Sequence, residues 1–200
     1  MARAAAAYYG EGARIGADFT TAPELSQAFG ECLGLWSALC WQAMGSPARV
    51  VWAEAGPGRG TLMQDALRAV RQMVPAFAQA AEIHLIETSL VLRAMQKGRL
   101  GAAAAAWHDR VEDLPRAPLI LLGNEFLDAL PIRQFIRRAD GWRERWVAEA
   151  AFVEQPSDMD FGDAPEGTVR EVNEPARAIA AHLAARVARD GGVALFLDYG

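Results

Sequence analysis

The sequence predicts an α/β fold, a doubly wound and mostly parallel sheet with helices packed on both faces. Three observations carry the prediction. Short, apolar, β-rich runs alternate with helical runs from residue 20 onward, and strands separated by helices pair in parallel through right-handed crossovers. The runs are predominantly apolar, as buried strands are. Each is followed by glycines or polar side chains, where such a sheet keeps its ligands. The 200 residues are 52% hydrophobic and 22% charged, enough apolar material for a sizeable core. Twenty Lys and Arg against 25 Asp and Glu leave a net charge of −5, without the basic face of a nucleic-acid binder or the polybasic surface that meets a membrane. No apolar run approaches the ~20 residues that span a bilayer. Two cysteines, Cys32 and Cys40, and three scattered histidines supply neither a disulfide framework nor a metal centre, and a reducing compartment follows.

The elements follow in order. Thr21 with Glu24 reads as a capping box opening a helix over about 22–44, on the spacing of Leu25, Phe29, Leu33, Trp36, Leu39 and Cys40. The two cysteines on it read as buried thiols. Gly45 and Pro47 stop it. Residues 49–54 form a strand, 56–60 a turn, and Leu62, Ala66, Leu67, Val70 and Met73 mark a second helix ending before Pro75. Residues 83–86 form a strand closed by Glu87, and Ser89 caps a helix through Leu90, Leu92 and Met95 to about Gly98. Residues 102–107 are ambiguous between helix, favoured by their alanines, and the strand that the alternation requires. Residues 119–122 are a strand opening into 124–131. Residues 132–138 and 142–148 flank Asp140-Gly141, a hairpin signal, with Trp142 and Trp146 on one face. Residues 154–168, acidic and rich in Gly and Pro, read as an exposed loop. Asn173 caps a last helix to Arg189, and 193–197 is the last strand. The organisation expected is one domain over 1–200: an N-terminal helix at 20–45, a ligand-binding core at 48–131, a hairpin insertion at 132–153, and a closing helix and strand at 173–200.

The strand ends select five places for a site: 54–60, 87, 107–109, 124–128 and 198–200. Gly56, Gly58 and Gly60 let the backbone turn sharply and approach a ligand that a Cβ would block. The segment lacks the Gly-Lys-Ser/Thr of a phosphate loop. As a dinucleotide fingerprint its third glycine comes one residue early, with Thr61 in its place. A pyrophosphate is held by amides and a helix N-terminus; Glu54, two residues before the first glycine, repels it and stabilises a cation instead. S-adenosyl-L-methionine carries an ammonium and a sulfonium and no phosphate, so it suits this loop. Glu87 can accept both ribose hydroxyl protons, and Trp107 and His108 are placed to flank an adenine.

Four segments carry a resemblance: residues 16–31, 54–63, Asn124-Glu-Phe-Leu-Asp-Ala-Leu-Pro131, and Phe196-Leu-Asp-Tyr-Gly200. They closely resemble the MidA-like methyltransferases, a family that includes the mitochondrial complex I assembly factor. The resemblance runs in order over nearly the whole chain. It implies a class I, Rossmann-like methyltransferase fold with S-adenosyl-L-methionine as cofactor. It implies that Gly56, Gly58 and Gly60 surround the methionine part, with Glu54 near its amino group and Glu87 on the ribose. Asn124 and Glu125 would then stand beside the methyl group. In mitochondrial members the acceptor is an arginine side chain of a complex I subunit. A guanidinium must be oriented and relieved of a proton, which a carboxylate does by bidentate pairing. Glu125 is the expected acid and Asp128 the second, with helix capping as the alternative role for Asp128.

Family members begin earlier and run on past Gly200, and a complete sheet of this class has more strands than are read here. The chain is therefore expected to be a fragment whose last strand is an uncovered apolar edge. The partner implied is a protein acceptor, with neither nucleic acid nor a membrane span, and a homodimer is left open. The compartment is the bacterial cytoplasm or the mitochondrial matrix. Three other readings stay open: a nucleotide-dependent oxidoreductase, a non-catalytic assembly chaperone that uses the hairpin to hold a partner, and a small-molecule methyltransferase.

Overall fold

A computed structural model describes residues 21–103, 106–149 and 151–198. It opens with a single helical turn, α1 (Ala22–Leu25), followed by α2 (Gln27–Ala43). The one helix expected over 22–44 is thus broken at Ser26, whose backbone is extended at φ −147° and ψ 119°. Thr21 stands at the N-cap of α1, but its side chain makes no cap hydrogen bond. Glu24 lies instead 3.6 Å from Arg59, so the capping box does not form.

The buried face of α2 also differs from the expected one. Leu25 and Leu39 are largely exposed, and the buried positions are Gly30, Gly34, Ser37, Ala38 and Trp41. Small residues form the stripe because α2 lies almost backbone to backbone on α3 (Thr61–Met73). A Cβ on Gly34 would sit 2.7 Å from the Ala66 carbonyl oxygen, and one on Gly30 2.8 Å from Asp65 Cβ. Counting large apolar side chains misses a face whose closest contact is made by glycines, although Trp41, with the half-buried Trp36 and Cys40, also packs into the core. Cys32, on the same helix, is exposed rather than buried. Gly34→Ala is expected to cost about 1–3 kcal/mol, because the clash is with main chain that cannot rotate away. A melting temperature several degrees lower by circular dichroism reads it.

The central sheet is parallel throughout. Its strands are β1 (Val50–Ala55), β2 (Ala81–Ile86), β3 (Ala106–His108), β4 (Leu119–Asn124) and the final strand, Gly192–Leu197, in the spatial order β3-β2-β1-β4-final. Every residue of β1 is buried. One apolar layer gathers Trp52, Met63, Phe77 and Leu85 on one face, and another gathers Val51, Ala53, Leu121 and Leu183 on the other. This is the doubly wound fold that the alternation predicts. Pro75 opens a further short helix, α4 (Pro75–Ala80), that the periodicity does not reveal. Its Phe77 packs on Trp52 with ring centroids 4.9 Å apart. The ambiguous stretch at 102–107 resolves into a 3₁₀ turn at Gly101–Ala103 and the three-residue β3, which follow α5 (Leu90–Leu100).

The expected hairpin exists as the centre of a second, antiparallel sheet. Its strands are β5 (Arg133–Arg138), β6 (Gly141–Ala148), β7 (Ala151–Pro156) and β8 (Val169–Val172), in the order β7-β6-β5-β8. The loop expected over 154–168 gives up its first three residues to β7. That strand is almost wholly exposed and β8 is four residues long, so neither shows an alternating pattern. The sheet has a small apolar cluster of Phe135, Trp142 and Val172. It is laced by ion pairs: Arg133 to both oxygens of Glu144 at 2.7 and 2.8 Å, and Arg138 to both of Glu154 at 2.9 and 2.6 Å. Of the two hairpin tryptophans, Trp142 is buried and Trp146 half exposed.

Asn173 caps α6 (Glu174–Asp190) as expected, its Oδ1 accepting from the Ala176 amide at 2.9 Å. The last strand, β9 (Gly192–Leu197), pairs only with β4 among the described residues and is half-buried along its length. No helix among the described residues is long and apolar enough to cross a membrane.

Candidate active site

The carboxyl ends of β1, β2 and β4 converge on a cleft of two adjoining chambers. The first, about 340 Å³, is walled by Glu54, the glycine loop, Arg59, Asn124, Glu125 and Asp128, together with Thr21, Pro23 and Glu24. The second, about 540 Å³, runs past Glu87, Asp109 and Val111 to Phe126 and the start of α6. Gly56, Gly58, Glu125 and Ala129 border both, so the chambers are two halves of one elongated site.

The glycine loop divides them. Gly56, Gly58 and Gly60 have φ of 64°, 50° and 80°, backbone that other residues adopt only under strain. A Cβ on Gly56 would also crowd the Phe126 ring at 3.0 Å. Glu54, on β1, is 2% exposed. It accepts the Met63 backbone N–H in the first turn of α3, while its Oε2 has no hydrogen-bond partner. Burial pushes its carboxyl up to about 8, opposed only by that backbone hydrogen bond. A buried acid with an orphaned oxygen in a chamber wall fits a ligand that brings its own cation.

Glu87 closes β2. Its Oε1 accepts the Ser89 amide at 2.8 Å and its Oε2 lies 3.4 Å from Gln96 Nε2. Burial holds it above the usual carboxylate range. Gln96 was not foreshadowed by the sequence reading, yet it ties the site together. Its Nε2 donates to the Gly58 carbonyl at 2.7 Å and its Oε1 accepts from Trp107 Nε1 at 2.7 Å. The available signal was positional, because Gln96 lies between Leu92 and Leu100 on the buried stripe of α5. Of the expected stripe, Leu92 is buried on this face, whereas Leu90 and Met95 are exposed. Gln96→Leu leaves the Trp107 N–H and the Gly58 carbonyl, both on half-buried residues, without this partner and is expected to cost about 1–3 kcal/mol. A lowered urea midpoint at unchanged m-value checks it.

Trp107 and His108 do not reach either chamber. The Trp107 indole N–H is taken by Gln96, its ring packs against the apolar layer below, and Lys97 Nζ sits 5.1 Å from the ring centroid. His108 Nε2 lies 2.8 Å from His84 Nδ1. The residues that do line the second chamber at this strand end are the next ones, Asp109, Arg110 and Val111.

Asn124 ends β4, and its Nδ2 lies 3.5 Å from Glu125 Oε1. Glu125 has φ +51°, uncommon for a residue with a side chain and a sign of stored strain. Its N–H donates to the Leu197 carbonyl at 2.9 Å. The turn that follows is pinned from two sides. Asp198 Oδ1 accepts the Leu127 and Asp128 amides at 2.9 and 3.1 Å, and Asn173 Nδ2 donates to the Leu127 carbonyl at 3.0 Å. Asp128 starts no helix, since turns lead from it directly into β5, so the capping role fails. Burial, and then the neighbouring Asp198 carboxylate, raise its carboxyl above the usual range. The strand end at 198–200 thus contributes Asp198 as a tether; Tyr199 and Gly200 lie outside the described residues.

A sequence model of a family described as S-adenosyl-L-methionine-dependent methyltransferase matches residues 32–200. Among curated relatives, "Protein arginine methyltransferase NDUFAF7, mitochondrial" of Danio rerio is 35% identical over 96% of this chain and 54% of its own length. The Homo sapiens protein of that name is 32% identical over 92% and 49%. The chain spans about half the length of the curated relatives it matches. A Burkholderia thailandensis crystal structure, described as a methyl transferase bound to S-adenosyl-homocysteine, superposes with a TM-score of 0.72 at 33% identity, over 92% of this chain and 50% of that one. A native structure of an uncharacterised protein from the same organism gives 0.74 at 31%, over 99% and 56%. The family match takes in every strand of the parallel sheet and every wall of the cleft except Thr21, Pro23 and Glu24, and the chain belongs to this family of S-adenosyl-L-methionine-dependent methyltransferases.

Proposed function

We propose that the cleft binds S-adenosyl-L-methionine and that the protein methylates an arginine side chain of another protein. The orphaned, buried Oε2 of Glu54 carries the reading, because it asks for a ligand ammonium. Gly56, Gly58 and Gly60 leave room for the ligand's amino-acid end against the backbone. Glu87, across the loop in the second chamber, is placed to accept the ribose hydroxyls. Bound there, the cofactor supplies an electrophilic methyl group on a sulfonium.

The chain's own residues then act on the acceptor. Glu125, which borders both chambers, orients a guanidinium through paired, charge-assisted hydrogen bonds. Asp128 lines the first chamber and is held above the usual carboxylate range, a state suited to receiving the proton that the guanidinium sheds. Asn124 supports Glu125 from the strand end. The names of the curated relatives support arginine as the acceptor type. On the family resemblance, the acceptor we propose is a complex I subunit during assembly, in the mitochondrial matrix or, in a bacterium, the cytoplasm.

The deciding experiment is calorimetric titration of the protein with S-adenosylhomocysteine, with NAD as the competitor class. Saturable binding of the first and none of the second is expected; the reverse overturns the reading. Mass spectrometry of the complex I subunit, with and without the enzyme, then tests the acceptor.

A further inference from the structure

The chamber that holds Glu54 contains a second charged feature that the roles above leave unused. Arg59, in the glycine loop, is the one basic side chain among the described residues lining that chamber, whose acids are Glu24, Glu54, Glu125 and Asp128. Its Nε lies 3.6 Å from Glu24 Oε1. Both side chains are partly exposed, so the pair is screened and opens at little cost. Glu24 sits on α1, a single turn separated from α2 by the extended Ser26.

An amino acid carries its ammonium and carboxylate on the same carbon. A chamber that takes the ammonium on the buried Glu54 therefore brings a carboxylate among several acids, where repulsion is strong unless a cation meets it. Arg59 is positioned by the same loop that shapes the chamber, and a guanidinium matches a carboxylate in fork geometry. We propose that Arg59 binds the carboxylate of the ligand's amino-acid end. Glu24 is that carboxylate's stand-in, occupying Arg59 until the ligand replaces it. Cofactor entry then frees Glu24 from the loop, so occupancy of the site is communicated to α1. The inference rests on reading this cleft as the S-adenosylmethionine site.

Two ligands separate it from that reading: S-adenosylhomocysteine, and its decarboxylated analogue with the same nucleoside, thioether and amine. Calorimetry on the protein and on Arg59→Gln, Arg59→Lys and Glu24→Gln gives the comparison. The unaltered protein is expected to prefer S-adenosylhomocysteine by about 10- to 100-fold, the worth of one charge-assisted pair. Arg59→Gln removes that preference while the analogue binds as before. Arg59→Lys, which keeps the charge and loses the fork, falls between. Glu24→Gln tightens S-adenosylhomocysteine by about 2- to 5-fold, as loss of a partly exposed pair allows, and does not tighten the analogue. The proposal is overturned if the unaltered protein binds both ligands alike, if Arg59→Gln weakens both equally or neither, or if Glu24→Gln weakens S-adenosylhomocysteine. If the unaltered protein binds neither ligand, the cofactor reading itself fails.

Discussion

Glu54→Gln is expected to weaken S-adenosylhomocysteine binding by about 100-fold, the scale of removing one partner of a buried charged pair. The same change should make the ligand-free protein more stable at neutral pH and above. Both effects come from one carboxyl. Burial pushes it up to about 8 in the folded protein, from 4.5 in the open chain. Between those values the folded state holds a proton that the unfolded state has released. The contribution of Glu54 to stability therefore falls as pH rises through that window, and its full penalty is present above about 8. Glutamine can still accept the Met63 N–H and carries no such penalty. Binding has the opposite dependence, since a ligand ammonium pairs with the ionised acid. Below about pH 8 complexation releases a proton, and affinity rises with pH by up to about tenfold per unit before levelling off. Titrations from pH 5.5 to 8.5, in buffers of different ionisation enthalpy, read both the slope and the proton. A flat profile in the unaltered protein, or tighter binding in Glu54→Gln, removes Glu54 as the ammonium site.

Glu125→Gln is expected to abolish methyl transfer, by about 10³-fold or more, as loss of both an orienting charge and an acid–base group would produce. Cofactor binding should stay within a few-fold. The amide keeps the shape of the side chain and the same left-handed backbone, so folding should not change. Glu125→Gly is the informative companion. It relieves the φ of +51° and is expected to stabilise the protein by about 1 kcal/mol while losing transfer as completely. Activity is read by radiolabel incorporation into the acceptor subunit, and stability by melting. Normal turnover in Glu125→Gln would take this residue out of the chemistry.

The centre of the sheet was legible in the sequence because β1, β2 and β4 are almost wholly buried. Trp52, Leu85 and Leu121 lie in short, mostly apolar runs, and such runs say where a strand ends and where the next polar residue stands. That rule, together with the family motifs, put forward Glu54, Glu87 and Glu125, which the fold brings to the walls of one cleft. What escaped has a physical cause in each case. The contact face of α2 is built of Gly30, Gly34 and Ala38, invisible to a scale that counts bulk. Gln96 looks like any polar helical residue until Gly58 and Trp107 arrive from elsewhere to bond it. Trp107 was assigned by its place in the chain, whereas the direction of its ring is set by that bond. β7 is exposed along its length, so the hydrophobic effect wrote no pattern into it. Asp198 acts on amides some 70 residues earlier, a partnership no local motif records.

The second sheet couples the protein to its ionic surroundings. Arg133, Arg138 and their glutamate partners fasten strands whose shared apolar cluster is small. At molar salt the Debye length falls to about 3 Å, the span of these contacts, so dissolved ions weaken such partly exposed pairs. Water exclusion in the parallel sheet is not weakened in this way. Concentrated chloride would therefore loosen the hairpin region more than the parallel sheet, and any surface that the hairpin offers would change with the salt around it.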